Sequence, residues 1–119
     1  MRYVNVNVLS ASDATSSVGA SIDSNQLIAA SFQVSFTDPT AAGSIQIQAS
    51  NDLTPLGNLA NLFVPTHWSD ITGATATVAA GATAIVQIPI TSYRFMRVAY
   101  TETTPGTGTV NVNLFALSQ

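Results

Sequence analysis

The chain has no cysteine and no lysine among its 119 residues. Without thiols there can be no disulfide staple and no thiolate metal ligand. The whole basic complement is Arg2, Arg94 and Arg97, set against Asp13, Asp23, Asp38, Asp52, Asp70 and Glu102, so only 8% of the residues are charged. An ordinary soluble domain is about 25% charged, and charge normally keeps a free surface soluble. Ser, Thr, Asn, Gln and Ala must cover this surface instead, which suits a protein that lives packed against neighbours. A net charge of −3 and a pI near 4.5 exclude counterion-driven nucleic-acid binding, which needs Lys and Arg at phosphate. They exclude a polybasic membrane patch for the same reason. No apolar run approaches the ~20 residues of a spanning helix.

Catalytic material is as scarce as charge. There is one histidine, His67, and one glutamate, Glu102. Ser69 and Asp70 follow His67 closely, but strand alternation puts His67 and Ser69 on one face and Asp70 on the other, which defeats a triad. Gly106-Thr107-Gly108 has no following lysine and so makes no phosphate cradle. Asp52 and Asp70, with Asn51, lack the Asp-x-Asp-x-Asp-Gly spacing of a calcium loop. Their simpler use is to neutralise Arg94 or Arg97, which stand at i and i+3 and bind carboxylates bidentately. No catalytic residue, metal site or cofactor is expected.

What the chain does have is a period of two. Val4, Val6 and Val8 alternate with Tyr3, Asn5 and Asn7, as in a half-buried strand. The same alternation runs through Ile28–Phe36, Ile45–Gln48, Val86–Ile90 and Val110–Leu114. Weaker strands fit Ser17–Ile22, His67–Ile71 and Thr75–Val78, and a stronger one fits Tyr93–Thr101. Asp38–Gly43 and Pro105–Gly108 carry turn chemistry and read as hairpin-like connections, and Ala79–Gly81 makes a third break. Pro89 belongs at an edge or a bulge because it cannot donate to a ladder. The length fits one domain over residues 1–119. The fold expected is all-β, a single β-sandwich or jelly roll of about eight antiparallel strands. The alternating start offers no signal-peptide stretch, so the chain is expected to begin at Met1 and to be made in a cytoplasm.

Two features stand out against that background. Leu53–Thr66 is the one long interruption, and its Leu59, Leu62 and Phe63 either cap an open end as a short helical turn or anchor a neighbouring subunit. Trp68, Tyr93, Phe95 and Tyr100 could form a sugar-stacking face, but a lone tryptophan in a small sandwich is more commonly core, and Trp68 is read so.

The runs Ser44–Asp52, His67–Ile71 and Tyr93–Val98 together resemble the signature of discoidin-type, galactose-binding-like sandwiches: a strand ending Ser-x-Asp, a Trp-containing strand and a Tyr/Phe-x-Arg strand. That resemblance implies that Ser50, Asp52, Trp68 and Arg97 hold the sandwich together without touching ligand. The whole chain is similar to small structural proteins of tailed-bacteriophage virions, with its closing Gly106–Asn113 strand, few charges and no cysteine. This likeness implies capsid decoration, a head fibre or a tail accessory subunit.

The leading expectation is therefore a non-enzymatic virion subunit, made in the host cytoplasm, that binds copies of itself and a capsid or tail protein. A trimer is the simplest assembly, with Tyr3–Leu9 and Thr109–Leu117 as candidate edges for pairing between subunits. Neither nucleic acid nor membrane is a partner in this reading. The alternative is a carbohydrate-binding, receptor-recognition sandwich.

Overall fold

Alternating β-branched and neutral polar residues make strands here because each strand can bury one face and leave the other to solvent. The computed structural model describes residues 2–12, 16–24, 27–37, 42–51, 55–56, 59–63, 65, 67–79, 82–89, 92–104 and 109–118. Its strands are β1 (Arg2–Ser12), β2 (Ser17–Val18), β3 (Ile22–Asp23), β4 (Leu27–Phe36), β5 (Ala42–Ser50), β6 (Pro55–Leu56), β7 (Leu59–Phe63), β8 (Ser69–Val78), β9 (Ala84–Ile88), β10 (Phe95–Thr104) and β11 (Thr109–Ser118).

Two antiparallel sheets form a sandwich. The front sheet has the order β1-β11-β4-β9; the back sheet has β2-β10-β5-β8, with β3 also on β10. The first strand lies beside the last, and the chain shuttles between layers at almost every connection. This is the jelly-roll arrangement. The hairpin-like connections expected at Asp38–Gly43 and Pro105–Gly108 are a correction. They join β4 to β5 and β10 to β11, each time from one sheet to the other, as does the connection from β8 to β9 at the Ala79–Gly81 break. Turn residues report that the chain reverses, not which layer receives it.

The core lies between the layers. Phe32 and Val34 from β4 and Val110, Val112 and Leu114 from β11 meet Ile45 and Ile47 from β5 and Met96 and Val98 from β10, all essentially inaccessible. Each such side chain contributes roughly 1.5–3 kcal/mol by leaving water. The Phe36 ring meets Tyr100 edge-on across the layers, centroids 6.0 Å apart. Thr109–Leu117 is not an edge, as the sequence suggested: β11 is paired on both sides, by β1 and by β4.

Bulges set which side chains face the core at the margins. In β1, Asn7 opposes Asn113 while Leu9 opposes Val112, so Val8 is an extra residue. Parity shifts there, and Leu9 and Ala11 become the buried pair. The expected continuation of the Val4–Val6 face through Val8 stops at this bulge. In β8, Thr75 opposes Gln46 and Asp70 opposes Gln48, so Ile71–Ala74 face Ile47 alone. Gly73 supplies the positive φ of 82°, a region other residues rarely adopt. The Gln46 amide fills the bulge, Nε2 donating to the carbonyls of Ile47, Ile71 and Ala74 at 2.9, 3.0 and 3.1 Å. Two weak sequence segments thereby become one ten-residue strand. Pro89 directly follows β9, an edge of the front sheet, as expected. The Leu53–Thr66 interruption contains a small hairpin, β6 with β7, where a helical turn was one expectation.

Gly43 is glycine because Tyr100 lies over it. A Cβ there would stand 2.6 Å from both Thr101 O and Tyr100 Cε1. Gly43→Ala should lower unfolding free energy by about 1–3 kcal/mol, read from urea denaturation midpoints. Burial, and then the nearby Glu102 charge, raise the Tyr100 phenol above its ordinary value. The unfolded chain therefore gives up that proton first. Stability from this group is intact below about pH 10 and declines as pH rises beyond it. Tyr100→Phe should flatten that decline in alkaline denaturation series.

Candidate functional site

The residues singled out in the sequence gather at one end of the back sheet. Arg97 points outward from β10, and its guanidinium lies 4.4 Å from the centroid of the Trp68 ring. Its Nε donates to Gln48 Oε1 at 2.8 Å, and Gln48 Nε2 donates to Asp70 Oδ1 at 2.9 Å. Asp70 thus reaches Arg97 through an amide relay across β8, β5 and β10, because Gln48 stands between them in register. The Arg94 guanidinium lies over the Phe95 ring at 5.5 Å, and its backbone N–H donates to Asn51 Oδ1 at 2.9 Å. Ser50 is buried at the end of β5. Asp52 lies outside the described residues.

Trp68 is the main correction to the sequence reading. It is half-buried and stands outside the core, against Arg97. The reason is local: Trp68 stands one residue before β8 with the parity of Asp70, and Asp70 pairs with Gln48 on the outward face that also carries Arg97.

Nearby, Asn51, His67, Ser69, Asp70 and Tyr93 border a polar cleft of ≈ 400 Å³. Strand alternation placed Asp70 away from His67 and Ser69; all three border this cleft because it opens at the rim of the edge strand β8. A second network ties the adjoining connections. The buried Ser24 hydroxyl donates to Tyr93 O at 2.6 Å, and its N–H donates to Arg94 O at 2.9 Å. Gln48 and Ser24 were not anticipated, since an uncharged polar residue carries no sequence signal of its own. Among the described residues no three of His, Asp and Glu gather as a metal-binding group. Leu59, Leu62 and Phe63 lie on β7, and their side chains fall outside the described residues.

The opposite surface has a different chemistry. Outward from β1 come Tyr3, Asn5 and Asn7, and from β11 come Asn111, Asn113, Phe115 and Leu117. β4 adds Ala29, Ser31, Gln33 and Ser35, and β9 adds Ile85 and Gln87. None of these carries a charge at neutral pH. The described charges Asp23, Asp70, Arg94, Arg97 and Glu102 all belong to the back sheet or its flanks, and Arg2 has the parity of Val4, opposite to Tyr3. Tyr3 and Phe115 stack with centroids 5.4 Å apart. They are 69% and 45% exposed, and Ile85 is 60% exposed. The amides cross-link the strands: Asn7 Nδ2 donates to Asn113 Oδ1 at 3.2 Å, and Ser10 Oγ to Asn111 Oδ1 at 2.8 Å.

No protein-family model matches the chain, and no curated protein matches it in sequence. Solved structures do match in shape. The SPBc2 prophage-derived protein YomS superposes with a TM-score of 0.63 at 12% identity, over 98% of this chain and 94% of that one. The disulfide-linked pili of Bacillus endospore appendages give 0.49 at 18% identity, over 98% and 89%. The K3 adhesin domain of Lys-gingipain from Porphyromonas gingivalis gives 0.41 at 15%, over 86% and 62%. The likeness to YomS is one of fold; the other two superpose more loosely.

With Trp68 outside the core, Trp68→Ala should fold and cost only about 1–2 kcal/mol, the cation–π contact plus partial burial. A cooperative melt with unchanged far-ultraviolet circular dichroism is the expected result; loss of folding would place Trp68 back in the core.

Proposed function

We propose that this chain is a non-enzymatic structural subunit of a bacteriophage virion, of capsid-decoration or accessory type, which associates with itself and packs against a capsid or tail lattice. The observation that carries this reading is the front sheet's outer face, whose described outward side chains are uncharged at neutral pH and include Tyr3, Phe115 and Ile85. A face of that kind loses little when water leaves it, because there is no ion to desolvate. Exposed apolar side chains set among uncharged polar groups suit a contact face. Likeness in fold to a prophage-derived protein supports the virion setting.

The glycan-binding reading has one observation in its favour, the polar cleft beside Tyr93 with Trp68 near the surface. It ranks second because one face of the Trp68 ring is taken by Arg97. Peptide mass spectrometry of density-purified phage particles tests the leading reading, which expects the chain at lattice stoichiometry. Its absence from particles, together with Tyr93-dependent retention on a glycan array, would establish the second reading instead.

A further inference from the structure

The front sheet's outer face has a shape as well as a chemistry, and the sheet edges say how it is used. Each edge is blunted against strand addition. β1 is bulged at Val8, β9 is five residues long and ends at Pro89, β2 and β3 are two-residue fragments, and β8 is bulged around Gly73. Short, bulged or proline-bounded edges are how sheets avoid pairing with further strands. Assembly through an edge is therefore disfavoured, and the face is what remains.

We infer that two copies of this chain pack front sheet to front sheet about a two-fold axis parallel to the strands, running between β11 and β4. This deepens the assembly reading above and rests on it. Three observations select a second copy as the occupant. First, each chain carries a net charge of −3, yet none of the described side chains on this face is charged, so two copies can meet here without apposing like charges. A charged partner would find nothing to pair with. Second, the polar groups are largely amides, each both donor and acceptor, so the face is complementary to itself.

Third, knob and hole lie at the same height on opposite halves of the sheet. A groove of ≈ 260 Å³ is lined by Ala29, Ser31, Gln87, Pro89, Phe115 and Leu117. Tyr3 opposes Leu117, Leu117 opposes Ala29, and Ala30 opposes Ile88. Tyr3 is thus level with the groove but at the far edge, on β1. The proposed axis exchanges β1 with β9 and sets each Tyr3 over the partner's groove. Four strands at ~4.8 Å and about ten residues at ~3.4 Å span roughly 15–20 Å by ~34 Å. With side-chain relief that is comparable to the ~800 Å² per partner of a standard interface. A two-fold pair is thus favoured over the trimer that was the simplest expectation from sequence.

Sedimentation velocity tests the pairing. Wild type should sediment as two 12.3 kDa chains, with affinity flat or slightly rising with salt, since no interfacial ion pair is there to be screened. Phe115→Asp and Ile85→Asp should each weaken the dimer at least ~30-fold, while Val18→Asp, an exposed site on the back sheet, should not. Orientation is read by crosslinking, because the chain has no cysteine of its own. Asn5 and Gln87 are level on opposite edges, so Asn5→Cys with Gln87→Cys should give covalent dimers with a short bismaleimide, and Asn5→Cys alone should not. Covalent dimers from Asn5→Cys alone overturn the two-fold orientation. An oligomer that Phe115→Asp and Ile85→Asp leave intact overturns the inference and leaves self-association standing. A wild-type monomer at ~100 µM overturns it too, and presence in phage particles then decides the structural reading separately.

Discussion

Everything in this molecule depends on four central strands laid face to face. β11 and β4 in one layer, β10 and β5 in the other, bury alternate side chains so completely that Phe32, Val34, Ile47, Met96, Val110 and Val112 are inaccessible to solvent. A buried one-face pattern fixes register, since a slip of one residue would turn every inward side chain out. The margins are held less strictly. β1 and β8 each carry extra residues, absorbed by bulges at Val8 and around Gly73. The centre supplies stability, and the margins are free to shape surfaces.

That division explains what could be read from sequence. Val110, Val112 and Leu114, or Ile45 and Ile47, announced both their strands and their burial, because period two in a central strand has only one physical solution. The all-β sandwich followed. Layer assignment did not, because the Asp38–Gly43 turn looks the same whether it closes a hairpin or crosses to the other sheet. Bulges were illegible for a similar reason: Val4, Val6 and Val8 alternate perfectly, and only the pairing with β11 shows that Val8 is surplus. At the back-sheet end, Arg97, Asp70 and Trp68 were foreseen as a group. The missing element was Gln48, whose amide completes the relay and whose identity stood out only once its neighbours in space were known.

Scarcity of charge takes on a spatial meaning in the fold. The described charged side chains are not diluted evenly; the back sheet holds most of them, while the front sheet's outer face holds none. Arg97 is spent on Trp68 and Gln48, within the back sheet's own outer surface. The two layers share one core but present solvents and neighbours with unlike chemistries. An uncharged face on an otherwise acidic chain gives a preferred way to turn toward a partner.

The place of β11 has a consequence in time. It sits between β1 and β4, yet it is synthesised after both, so the front sheet cannot close around its middle until ribosomal extension has passed Ser118. Until then β1 and β4 have no common partner, and the apolar sides of both remain open. Pairings of such long sequence separation make folding slow, and nascent sheets with open strands are the ones that aggregate or need holding. Closure of the front sheet thus waits for β11, which follows both of its neighbours in the chain.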